Sequence, residues 1–176
     1  MIKYQHGKMQ TGKPKLKIQK DAWDKRIEFL SWASLLILVA LPLYFYNQLP
    51  DEIPMHFDIN GNPDRYDGKG SLFIIPGIGV AMFFFLNMIN KYPHTFNYLT
   101  KITEDNARAQ YTNATKINRW LKFVITLMLV VITAGVIMIA IGKTKNHSIA
   151  PAIFFTFIIL ASVGYYTVKS TKLSTR

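Results

Sequence analysis

The residues whose types and spacing bear on chemistry are concentrated in one polar stretch, residues 49–69, LPDEIPMHFDINGNPDRYDGK. Asp58, Asn60, Asn62 and Asp64 set side-chain oxygens at alternate positions, as a calcium loop begins. The pattern then departs from an EF-hand, which needs glycine at its sixth position and glutamate at its twelfth, where Pro63 and Lys69 stand. His56 beside Asp58 would add a transition-metal pair. The competing reading is a compact turn, because Asn60-Gly61 and Asn62-Pro63 are turn dipeptides and Asp and Asn side chains bond their own backbone there. The turn is the stronger reading, and metal binding stays open. The candidate binding residues are His56, Asp58, Asn60, Asp64 and Lys69.

Nothing in the chain points to catalysis. It has no Gly-x-Ser-x-Gly, no His-Glu-x-x-His and no phosphate-binding loop signature. The absence of cysteine excludes disulfides, zinc–thiolate centres and thiol nucleophiles. A non-enzymatic protein with no cofactor and no catalytic residue is expected.

The polar stretch is set between apolar runs. Residues 29–50, 71–90, 123–142 and 146–168 carry no Asp, Glu, Lys or Arg, and each approaches or exceeds the ~20 residues needed to cross a hydrocarbon core of ~30 Å. The expected fold class is an all-α integral membrane protein. Its four transmembrane helices fall at about 27–48, 71–90, 121–141 and 148–168, within a membrane domain spanning 27–169. A structured extracytoplasmic loop, 49–70, follows the first helix. An amphipathic cytoplasmic segment lies before the third, in the connection 91–120. Thr103 with Glu104 and Asp105 reads as its start, and Ala107, Tyr111, Ala114, Ile117 and Leu121 recur on one face. That segment either lies on the membrane or runs straight into the third span. Pro42 is expected to kink the first helix, and Gly77 with Ala81 has the small-xxx-small spacing of close helix approach. The first run is too long and begins too late for a cleavable signal, so it is expected to stay as an anchor.

Charge sets the orientation. Residues 1–26 hold 8 Lys and Arg, 91–122 hold 6 and 169–176 hold 3, whereas 49–70 and 143–146 hold 2 each. Alternation gathers 17 on one side and 4 on the other, so both tails, 1–26 and 170–176, are expected in the cytoplasm. The basic tail reads as a flexible arm touching anionic lipid rather than as a nucleic-acid binder, although Lys15-Leu16-Lys17-Ile18 alternates like a strand. A proton-coupled transporter is not expected, because Glu28, His94 and His147 all sit at span edges.

At the polar loop the sequence resembles a known family. Leu49-Pro50, Ile53-Pro54-x-His56-Phe57, Gly61-x-Pro63-Asp64 and Lys69 look like the outward loop of an uncharacterised (DUF-type) bacterial membrane domain. That domain also forms the N-terminal part of the SdpI-like family, immunity proteins against a sporulation-delaying toxin. Lys13-Pro14-Lys15-Leu16-Lys17-Ile18, Tyr92-Pro93-His94-x-Phe96-Asn97-Tyr98 and Ile102-Thr103-Glu104-x-Asn106-Ala107 with Gln110-Tyr111 extend the likeness over most of residues 13–121. The resemblance implies a bacterial plasma-membrane protein of undefined biochemistry. In the immunity protein the role is to protect the cell and to hold a repressor at the membrane, and that protein continues into a further membrane module not found in this sequence. No catalytic residues come over. The expected function is an envelope recognition or immunity-like regulatory module, with the lipid bilayer and a peptide, toxin or membrane protein as partners. The alternative is a small-solute or metal-handling membrane protein using the outer loop. The sequence leaves the oligomeric state open.

Overall fold

A computed structural model describes residues 13–145 and 148–174. The expectations that fall on residues 1–12 of the basic tail and on His147 lie outside the described residues. The elements run α1 (Ala22–Phe45), β1 (Glu52–Phe57), β2 (Pro63–Gly68), α2 (Ile74–Ile89), α3 (Glu104–Ala140) and α4 (Ala150–Ser174), with short 3-10 turns at Tyr46–Gln48, Lys69–Phe73 and Pro93–Thr95. With their adjoining turns, four helical segments are long and apolar enough to cross a membrane: Ala22–Gln48, Lys69–Ile89, Glu104–Ala140 and Ala150–Leu173.

The helix starts follow from side-chain caps. Asp21 accepts from the Asp24 N–H at 2.9 Å while Asp24 accepts from the Asp21 N–H at 3.0 Å, which closes a capping box on α1. Thr103 and Asn106 do the same for α3. From that cap α3 runs unbroken for 37 residues, about 55 Å at 1.5 Å per residue. The segment expected to be amphipathic is therefore the first half of one long helix, not a separate surface helix.

The inward faces are more polar than the outward ones. On α1, Asp24, Ile27, Glu28, Ser31, Ser34, Leu35 and Leu38 are buried at helical spacing, while Phe29, Leu36 and Leu43 on the opposite face stay exposed. On α3 the buried stripe is Ala107, Tyr111, Thr115, Arg119, Lys122, Thr126, Thr133 and Ile137. Buried hydroxyls are held locally: Ser31 donates to the Ile27 carbonyl at 2.7 Å, Thr115 to Tyr111 at 2.8 Å and Thr126 to Lys122 at 2.7 Å. This is the distribution that a hydrocarbon solvent favours, with apolar side chains outside and polar groups bonded within. The face of Ala114, Ile117 and Leu121 turns instead toward α4, where it lines a cavity of about 270 Å³ with Val163 and Tyr166.

α3 is the hub, packing against α1, α2 and α4. The close approach of α2 falls at Gly79, not at Gly77 and Ala81. A β-carbon on Gly79 would lie 2.6 Å from Leu38 Cδ2 and 3.0 Å from Leu129 Cδ1, whereas one on Gly77 would meet nothing within 4 Å. Gly77 and Ala81 are exposed on the outer face of α2. Residues 13–20 are pinned along the bundle rather than free. The Tyr111 hydroxyl donates to the Pro14 carbonyl at 3.0 Å, and Pro14, Leu16 and Ile18 are half-buried while Lys13, Lys15 and Lys17 are exposed. The alternation visible in the sequence is thus that of an extended strap.

Gly79→Val should destabilise the bundle by about 1–3 kcal/mol through overpacking against Leu38 and Leu129. Gly77→Val should leave the melting temperature in detergent nearly unchanged. Equal losses for the two variants would refute the packing assigned to α2.

Candidate functional site

The polar stretch folds as a two-stranded antiparallel hairpin, β1 pairing with β2 from Glu52 opposite Gly68 to Phe57 opposite Pro63, with irregular register around His56. Its turn is built by Asp58. The Asp58 carboxylate accepts from the Asn60 N–H at 2.9 Å, the Asn62 N–H at 2.8 Å and the Asn62 side-chain amide at 3.1 Å. These bonds, the Asn62 side chain foremost, hold the Asp58 carboxyl below its ordinary range. Gly61 takes φ of 82°, the left-handed conformation the tight turn requires.

The apolar side of the hairpin is seated on the bundle. Leu49, Ile53, Leu72, Val136 and Ile137 form a buried cluster, and Met55 and Phe57 pack against it. A cavity of about 310 Å³ opens beside this seat, between the hairpin and residues such as Ile75, Ile132 and Ile149, with His56 and Asp58 among its lining groups.

The five candidate binding residues do not converge on one point. His56 Nδ1 meets the Asp64 carboxylate, and both side chains are about half exposed. Asp58 is engaged within its own turn, and Asn60 is exposed at the tip. Lys69 lies at the other end of the hairpin, 3.1 Å from Asp51 and over the Tyr46 ring. Among the described residues no three His, Asp or Glu side chains are grouped to hold a metal.

A second polar centre lies at the opposite end of the bundle. Asp24 and Glu28, four residues apart on α1, face Arg119 and Lys122, three apart on α3. Arg119 Nη1 donates to Asp24 Oδ1 at 2.9 Å, and Lys122 Nζ donates to Glu28 Oε2 at 2.8 Å. Lys122 also approaches Asn87 Oδ1 at 3.4 Å and lies over the Phe83 ring. Arg119 Nε is 3.5 Å from Glu28 Oε1 but makes no hydrogen bond, and Lys20 Nζ is 3.4 Å from the same oxygen. All four central residues are at most 9% exposed. Both pairings advance in the same chain direction, as parallel helices require.

Around this core, Lys116 bonds Asp21 and lies over the Trp23 ring, which in turn approaches Trp120. The hydrogen bond from Lys116, followed by the Asp24 N–H, lowers the Asp21 carboxyl to about 2, so the α1 cap stays ionised until the pH falls that far. The layer has a definite depth. Lys122 to Ala140 spans about 27 Å and Glu28 to Phe45 about 26 Å, close to the ~30 Å thickness of a hydrocarbon core. Glu28 is at the rim of its span, as the sequence suggests, yet it is buried and paired.

Sequence reasoning missed this centre because it counted Arg119 and Lys122 only as orientation signals. The available signal was spacing: acids at positions 24 and 28 and bases at 119 and 122 each fall on one helical face.

Three comparisons bear on these sites. A family described as a domain of unknown function (DUF1648) matches residues 33–80. The match covers the second half of α1, the whole hairpin and the first half of α2, and leaves out both sides of the ion layer. The chain is also similar to an uncharacterised protein of Archaeoglobus fulgidus, 29% identical over 146 residues, which is 74% of this chain and 76% of that protein. No solved structure matches.

Removing one member of a buried pair should leave a charge without its partner, at a cost of about 3–5 kcal/mol. Lys122→Met should therefore lower the melting temperature sharply, and Glu28→Gln with Lys122→Met should recover much of the loss. A double variant no better than Lys122→Met would contradict the pairing.

Proposed function

We propose that the chain is a non-enzymatic recognition module of the bacterial plasma membrane, with both termini in the cytoplasm and the hairpin displayed outside. The orientation rests on the 17-to-4 distribution of Lys and Arg. The observation that carries the recognition reading is the hairpin tip. Ile59 is 83% exposed beside a rigid turn, and an apolar cavity of about 310 Å³ opens next to it with His56 and Asp58 among its lining groups. An exposed apolar anchor on an ordered scaffold, near an apolar recess with a polar edge, suits an amphipathic peptide or the outer part of another membrane protein. The resemblance to SdpI-like immunity proteins favours a toxin peptide among such partners. The alternative, metal or small-solute handling, draws on less: the His56–Asp64 pair alone remains once Asp58 is engaged in its turn.

The chain has no cysteine, so single cysteines report cleanly. Asn60→Cys should react with a membrane-impermeant maleimide in intact cells, and Thr95→Cys should not. A photo-crosslinker at the exposed Tyr66 should trap one discrete polypeptide, and Ile59→Asp should abolish that adduct. No adduct, or an adduct indifferent to Ile59→Asp, would defeat the recognition reading, and labelling of Thr95→Cys alone would invert the orientation.

A further inference from the structure

We propose that a pocket at the ion-layer end of the bundle, opposite the hairpin, binds a phosphate group. The pocket encloses about 320 Å³ between the strap, the end of α2 and the middle of α3, and Lys17, Lys20, Lys91 and Arg119 converge on it. Glu28 is the one carboxylate in its lining, and that carboxylate already lies against Lys20, Arg119 and Lys122. Among the described residues, Lys17 and Lys91 form no ion pair with any acid. Cations gathered at one recess repel one another unless an anion sits among them. A phosphate, carrying one or two charges on several oxygens, matches that excess.

Two buried groups point to the same occupant. Arg119 is 3% exposed, lines the pocket, and its Nε has no hydrogen-bond partner. Oδ1 of Asn90, also in the lining, is buried without a partner, and turning that amide over offers an Nδ2 donor instead. The end of a helix ordinarily disfavours an anion because its last carbonyls are free. Here three of the last four in α2 are occupied: Leu86 O accepts from Asn90 N and Asn118 Nδ2, Met88 O from Lys91 N, and Ile89 O from Tyr92 N.

The depth fits a lipid source. The pocket shares Glu28 and Arg119 with the ion layer, whose flanking Trp23 and Trp120 have the character of interface anchors, and lipid phosphates sit at that boundary. A soluble phosphate would use the same donors. The strap supplies one wall of the pocket: Lys17, Ile18 and Lys20 line it, and Leu16 and Ile18 are half-buried.

The test uses the full-length protein in dodecyl maltoside, which carries no phosphate, with phosphatidic acid added in one arm and inorganic phosphate in the other. Retained lipid is read by native mass spectrometry, and binding in both arms by thermal shift. Wild type should bind, and Lys17→Gln with Lys91→Gln should weaken binding at least about tenfold, as expected on losing two charge-assisted contacts. These two side chains are exposed, so the variant should fold, and Lys17→Arg with Lys91→Arg should retain binding. Lys101→Gln with Arg108→Gln removes the same charge outside the pocket and should bind like wild type. Binding of phosphatidic acid alone identifies a headgroup site; binding of inorganic phosphate with the same variant dependence identifies a soluble source. Equal weakening by both glutamine pairs, or no binding in either arm, overturns the proposal.

Discussion

Asp24 and Glu28 on α1 lie buried against Arg119 and Lys122 on α3, and this ion layer constrains the rest of the bundle. Taking charges out of water is costly unless each meets its partner in good geometry, so the layer admits few arrangements of the two helices. A shift of α3 along α1 by one residue would move the bases about 1.5 Å and rotate them by roughly 100° off the acids. Apolar contacts alone would not set such a register, because lipid tails compete equally well for Leu, Ile and Phe. The polar stripe continuing through Ser31, Thr126 and Thr133 extends the same logic deeper into the bundle.

The hairpin depends on that register indirectly. It is seated on Val136 and Ile137 of α3, with Leu41 and Phe45 of α1 and Leu72 of the turn before α2 in the same cluster. Fixing α3 against α1 at one end therefore fixes the platform at the other, about 21–27 Å away along α3. The turn adds its own rigidity through Asp58 and Gly61. Recognition at one end and phosphate binding at the other would then be properties of a single braced scaffold, with α4 covering only the outer side of α3.

The four apolar helices were legible in the sequence because charge-free runs of this length have few other uses. The turn of the hairpin was legible from Asn60-Gly61, whereas residues 13–20, expected as part of a flexible arm, are held along the bundle as the alternation of residues 15–18 permits. Three things were not. The continuity of α3 was one of two readings left open, because the change from mixed to apolar composition near Lys122 looks like a boundary although the backbone does not break. The close approach at Gly79 was hidden because Gly77, Gly79 and Ala81 lie at alternate positions and sequence does not say which faces a neighbour. The ion layer was hidden because long-range pairing between residues about ninety positions apart leaves only a local trace, the helical spacing within each pair. The candidate residues of the loop were legible as chemistry but not as a constellation: Asp58 is engaged in folding the turn, and Lys69 lies at the far end of the hairpin.

If the α1–α3 pairs set the register of the bundle, exchanging the two members of one pair should be tolerated where changing either alone is not. Asp24→Arg and Arg119→Asp should each lower the melting temperature in lipid nanodiscs severely, since each places two like charges together in a buried site. The two together restore opposite charges at the same contact and should recover a large part of the stability and of the hairpin's resistance to proteolysis. An exchanged protein no more stable than either single variant would contradict the claim that this pairing holds the helices in place.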